Sequence, residues 1–202
     1  FNSSDPSLLN VVVSGNTSST QGGGIRFAGD NSNPSLVNVT ITGNTSAVGG
    51  GIYNNNLSFP VLVNCILWNN IPQEIYTAGG GEVVATYSNI QGGLMGEGNI
   101  DSDPLFCNPD SGDYTLAENS PCRDTGWNIE TNMDGYNMGA FGVGCDAIYE
   151  VINVPSDYPT IQLALNNASD NDTVLVQPGT YTEKINWPET NGIKLISAGD
   201  ET

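Results

Sequence analysis

Asp5–Asn16 reads DPSLLNVVVSGN, Asn33–Asn44 reads NPSLVNVTITGN and Phe59–Asn70 reads FPVLVNCILWNN. These stretches are copies of one unit. They begin at residues 5, 33 and 59, so the spacing is 28 and then 26 residues, too long for a hairpin and right for one coil of a solenoid. Within each copy one face alternates: Leu9, Val11 and Val13 become Val37, Val39 and Ile41, then Val63, Cys65 and Leu67. A period of two with β-branched residues predicts strands, because a helix would scatter the same set around its axis. Like positions recur one coil later, so like side chains stack between neighbouring rungs. No rung can bury its apolar face alone, but stacked rungs can. The expected fold is therefore all-β, a right-handed parallel β-helix, with the glycine triplets Gly22–Gly24 and Gly49–Gly51 at tight corners.

Each copy ends at an asparagine. Asn16, Asn44 and Asn70 recur in register, and Asn89 is placed fourth, so a ladder of side-chain hydrogen bonds running up the coil is expected, each rung worth about 1 kcal/mol. The coils occupy residues 1–98. Rung three continues through Ile75 and Tyr76, which replace Ile52 and Tyr53, and Val83–Asn89 starts a shorter fourth rung.

Residues 99–149 are dense in Pro, Gly and Asp and hold Cys107, Cys122 and Cys145. Cys65 lies on an inward strand position and reads as a buried free thiol. The other three compete for one bridge, and spacing does not choose among them. Four motifs follow in order: Asp103–Phe106 (DPLF), Gly112–Leu116 (GDYTL), Ser120–Cys122 (SPC) and Met138–Phe141 (MGAF). Together they resemble the closing segment of bacterial secreted right-handed parallel β-helix repeat proteins, of pectin-lyase-like fold. The resemblance implies that this segment caps the last coil and that the protein is extracellular or on the cell surface.

Residues 150–202 contain VPSDYPTIQLALNNASDNDTVLVQPGTYTE, which resembles the opening segment of the same family and, more distantly, that of pectinesterases. Thr160 is placed to N-cap a short helix over 161–168, whose Ile161, Leu163, Ala164 and Leu165 would cover the open end of a coil. Thr173–Val176 and Ile193–Ile196 read as strands. An opening segment thus follows a closing one. Either the chain spans a junction between tandem β-helices, or it is one repeat cut out of phase, with Thr202 of one copy leading to Phe1 of the next. Phe1 falls inside a rung, and no signal peptide is visible, so the sequence reads as a mature piece or a fragment.

Four basic residues stand against twenty-two acidic ones, with no histidine and a net charge of −18. That balance argues against nucleic acid as a partner, because little is present to neutralise phosphate. No stretch of about 18 apolar residues occurs, so membrane insertion through a helix is not expected. Arg26 is the sole basic residue on the coils, and no acid is predicted on a rung beside it, Asp30 in a turn being nearest. No complete catalytic set is visible, and no catalytic residue is assigned. For metal, Asp101, Asp103 and Asp134 are weak calcium candidates, although the loop around Asn132 and Asp134 lacks the spacing and the closing Glu of a calcium loop. No other cofactor is expected. Tyr53, Tyr76 and Trp68 could form an aromatic strip for glycans. The expected role is non-catalytic and structural, with self-association through open β-helix ends. An adhesin or carbohydrate-binding module is the alternative, and a polysaccharide-active enzyme comes third.

Overall fold

The computed structural model describes residues 5–28, 32–55, 57–128 and 133–199, with Met133 and Asp134 described by backbone alone. The chain divides into two compact units, Phe1–Ala147 and Ile148–Thr202. In the first unit β1 (Ser7–Ser14) and β2 (Ile25–Phe27) form one rung, and β3 (Ser35–Thr42) and β4 (Ile52–Asn54) the next. A third rung comprises β5 (Val61–Val63), β6 (Ile66–Trp68) and β7 (Ile75–Thr77), and a shorter fourth comprises β8 (Val84–Thr86) and β9 (Asn89–Ile90). All pair in parallel with the rung above or below, as a β-solenoid does. The register Ser7, Ser35, Val61, Val84 gives coil lengths of 28, 26 and 23 residues by subtraction.

Three inward columns fill this coil. Leu36 and Leu62 lie over Ala85; Val39 lies over Cys65; Ile41 and Leu67 lie over Ile90, and all are essentially inaccessible. Each buried aliphatic side chain contributes about 1.5–3 kcal/mol. The expected face is corrected at one end: Leu8, Leu36 and Leu62 point in, whereas Leu9 is 60% exposed. The cause lies at Asn10, Asn38 and Asn64, whose φ values are +54°, +52° and +54°. A single left-handed residue turns the strand and shifts the alternation by one, so the inward positions are 36, 39 and 41 rather than 37, 39 and 41. The glycine triplets bring rungs into close approach. A Cβ on Gly23 would lie 2.6 Å from the carbonyl oxygens of both Thr45 and Gly50.

The closing segment folds as β10 (Phe106–Asn108) antiparallel to β11 (Asp113–Ala117), then β12 (Gly126–Asn128) antiparallel to β13 (Met133–Tyr136), with β14 (Val143–Cys145) returning parallel to β11. Cys107 and Cys145 form the disulfide, while Cys65 and Cys122 are buried free thiols. Beyond following the last coil, the segment lies along the side of the solenoid. Gly139 N–H donates to the Asn64 carbonyl at 2.7 Å, and Ala140 N–H reaches back to Thr40 Oγ1 on the second rung at 3.0 Å. Ile66, an outward residue of β6, thereby joins a second core with Phe106, Leu116, Cys122 and Met138.

In the second unit β15 (Val151–Val154) is followed by helix α1 (Ile161–Asn167), β16 (Thr173–Val176) and β17 (Lys194–Ser197), with the strands parallel in that order. Thr160 Oγ1 accepts from Leu163 N–H at 3.2 Å, as an N-cap does. The Glu183 carboxylate accepts from Ile161 and Gln162 N–H at 3.0 and 2.8 Å. The helix packs through Ile161, Ala164, Leu165 and then Ala168 onto Ile152, Val154 and Val174. Leu163 departs from expectation: it lies off this stripe and is 41% exposed. No helix of the described residues is long and apolar enough to cross a membrane.

Candidate functional site

Two asparagine columns run along the coil, and they differ in what they touch. In the corner column, Asn44 Nδ2 donates to Asn70 Oδ1 at 2.9 Å, and Asn16 Nδ2 to Asn44 Oδ1 at 3.0 Å. The same oxygens accept the backbone N–H of Asn44 and Asn16. Glu74 occupies the fourth place. Its carboxylate accepts from Asn70 N–H at 2.9 Å and from Asn70 Nδ2. Burial pushes Glu74 up to about 7, against the opposing effect of these hydrogen bonds. Asn89 is corrected out of this ladder. Its register partner is Ile66, so it points outward from the coil, where Nδ2 donates to the Ser102 carbonyl at 2.7 Å and to Cys122 Sγ at 3.0 Å. It hooks the closing segment to the last rung.

The second column, Asn10, Asn38 and Asn64, sits at the left-handed corners. Asn64 Nδ2 donates to Asn38 Oδ1 at 3.1 Å, and Asn38 Nδ2 to Asn10 Oδ1 at 3.0 Å. Asn64 is buried under Trp127, donating to its carbonyl and accepting its N–H, both at 2.7 Å. The rings of Trp127 and Tyr87 meet at 5.1 Å. Asn10 and Asn38 are left at the edge of this cover, where they face the Gly135–Gly142 stretch across a cleft of about 270 Å³. Asp124, Tyr136, Asn137 and Phe141 line its other side. Asp124 N–H donates to Asn137 Oδ1 at 3.0 Å, and Arg123 Nε to Asp124 Oδ2 at 3.1 Å. Tyr136 and Phe141 are about half exposed.

Asp101 and Asp103 are both exposed, and Asp103 Oδ1 accepts from Leu105 N–H at 2.9 Å in a local turn. The side chain of Asp134 lies outside the described residues, as do Glu130 and Asn132. Among the described residues no three His, Cys, Asp or Glu side chains gather as a metal site would need. The aromatic strip is not assembled as expected. Tyr53 and Tyr76 stack at 5.5 Å, yet Tyr53 is buried and Trp68 packs against the second core, leaving Tyr76 as the exposed member. Arg26 sits 5.8 Å over the Tyr53 ring and donates to Gln21 Oε1; Asp30 lies outside the described residues. Burial pushes the Cys65 thiol up to about 12 and that of Cys122 up to about 11, so neither forms a thiolate near neutral pH.

The residues expected to form a site do not include Asn10, Asn38, Tyr136 or Asn137. The signal was present: an Asn recurs at the same place in all three copies, and Phe141 closes the MGAF motif. Compared with known proteins, the chain matches no family model, no curated protein and no solved structure.

Proposed function

We propose that this chain is a non-catalytic structural β-helix module of the cell surface or extracellular space, stacking end to end in a filament or tandem array. The observation that carries the reading is the state of the outermost inward columns. Leu8, Val11 and Val13 on β1 are half-buried, whereas their partners Leu36, Val39 and Ile41 one rung in are fully buried. On β17 the column Ile152–Val174 ends at Leu195, which is 36% exposed. Among the described residues each edge carries unpaired strand hydrogen-bonding groups beside apolar side chains, a surface that another parallel rung can cover.

The order of the closing and opening motifs supports placing the solenoid in the right-handed, pectin-lyase-like class of secreted bacterial proteins. The Cys107–Cys145 bridge favours an oxidising compartment. Light scattering of the 202-residue chain over a concentration series tests the stacking. The scattering mass is expected to rise with concentration, and Val11→Lys, which puts a charge in the edge column, is expected to hold it at the monomer. A mass that stays monomeric at every concentration overturns the reading.

A further inference from the structure

We propose that the cleft between the Asn10–Asn38 column and the closing segment binds one residue of an uncharged oligosaccharide. The groups that line it offer hydrogen bonds of both kinds. Asn10 and Asn137 have their Oδ1 atoms engaged, by Asn38 Nδ2 and by Asp124 N–H, each at 3.0 Å. That fixes both amides, and neither Nδ2 has a partner among the described residues. Asp124 Oδ1 is likewise unpartnered there and accepts. A ligand that satisfies fixed donors and an acceptor in one small space must itself donate and accept at neighbouring atoms, as vicinal hydroxyls do. An apolar ligand would leave these groups unpaired, at a cost of about 1–3 kcal/mol for each.

Tyr136 and Phe141 supply the complementary surface. Both rings are about half exposed, and a pyranose presents a face of C–H groups that packs on such a ring. The floor between them is held rigidly. A Cβ on Gly139 would come within 2.7 Å of Ile66 Cδ1, so the backbone there rests on the coil. A volume of about 270 Å³ suits one sugar ring rather than an extended chain. Charge narrows the class further. Arg123, the cation next to the cleft, is already paired with Asp124 at 3.1 Å, and the chain carries −18 overall. A carboxylated or phosphorylated ligand would meet Asp124 with nothing free to neutralise it.

This inference does not rest on end-to-end stacking. Isothermal titration of the 202-residue chain with cellotetraose, mannotetraose, chitotetraose and tetragalacturonate tests it. At least one of the three neutral probes is expected to bind, and tetragalacturonate to bind at least tenfold more weakly than that probe. Tyr136→Ala and Phe141→Ala are each expected to weaken the neutral probe about tenfold. Asp124→Asn, a substitution that keeps the left-handed backbone acceptable, is expected to narrow the discrimination against tetragalacturonate. Absence of binding by all three neutral probes overturns the proposal. So does equal binding of tetragalacturonate, or neutral binding that survives the Tyr136→Ala, Phe141→Ala double variant.

Discussion

Asn38 bends the second rung at φ +52°, accepts from Asn64 and donates to Asn10. Asn tolerates the left-handed region because its short polar side chain bonds locally, whereas Ala meets a penalty of roughly 1–2 kcal/mol there. Asn38→Ala loses that tolerance together with two hydrogen bonds of about 1 kcal/mol each. Urea unfolding should show a loss of about 3–4 kcal/mol for Asn38→Ala and about 2 kcal/mol for Asn38→Gly, which keeps the conformation and loses only the bonds. Equal losses would mean that the backbone term is absent. The same residue explains what could not be seen in the sequence. Alternation continues on both sides of Asn38, so nothing in the apolar pattern marks the shift that buries Leu36 fully and leaves Val37 half-buried. The recurrence of Asn at that place was visible; its φ was not.

Glu74 gives the coil a pH dependence of definite sign. Its usual value of 4.5 is pushed up to about 7, chiefly by burial, so the folded chain holds this proton where the unfolded chain has released it. Between those values the native state binds more protons, and stability falls as pH rises. The contribution is fully present below about pH 4.5 and is lost as pH passes through about 7, a change on the order of 3 kcal/mol. Unfolding free energies measured from pH 4.5 to 8 should therefore decline, and Glu74→Gln should flatten the slope across that window. An unchanged slope in the variant would assign the dependence to other carboxylates. The sequence pointed to the three asparagines below Glu74 but not to Glu74 itself, because a carboxylate at the end of an amide column has no periodic signature.

At the scale of elements, the repeat made the rungs plain, since β1, β3 and β5–β6 are copies in register. The helix was equally plain from Thr160 and the apolar set Ile161, Leu163, Ala164 and Leu165, although Leu163 lies off the packed stripe. The path of the closing segment was not, because its contacts join residues far apart in sequence, such as Ala140 with Thr40. That segment is held to the coil by Asn64, Asn89 and Thr40, and is closed on itself by Cys107–Cys145, which are 38 residues apart. A loop of this length makes the bridge worth about 2–4 kcal/mol. A Cys107→Ser, Cys145→Ser variant should unfold at lower denaturant. Hydrogen exchange should quicken across the closing segment first, while amides of β3, paired on both sides, keep their protection. Uniform acceleration through β3 would show that the segment and the coil are one cooperative unit.

At the scale of the whole molecule, the coil's internal rungs satisfy one another, while β1 and β17 each present an unpaired edge among the described residues. Stacking another rung on either edge would extend the ladder at the parallel-strand spacing of about 4.8 Å. Such growth is heterologous, so it continues unless the rotation closes. Negative-stain electron microscopy of the concentrated 202-residue chain would show such growth. Unbranched filaments with an axial repeat of one chain are expected, and are expected to be absent in Val11→Lys. Compact, separate particles in the unsubstituted protein at every concentration would contradict it.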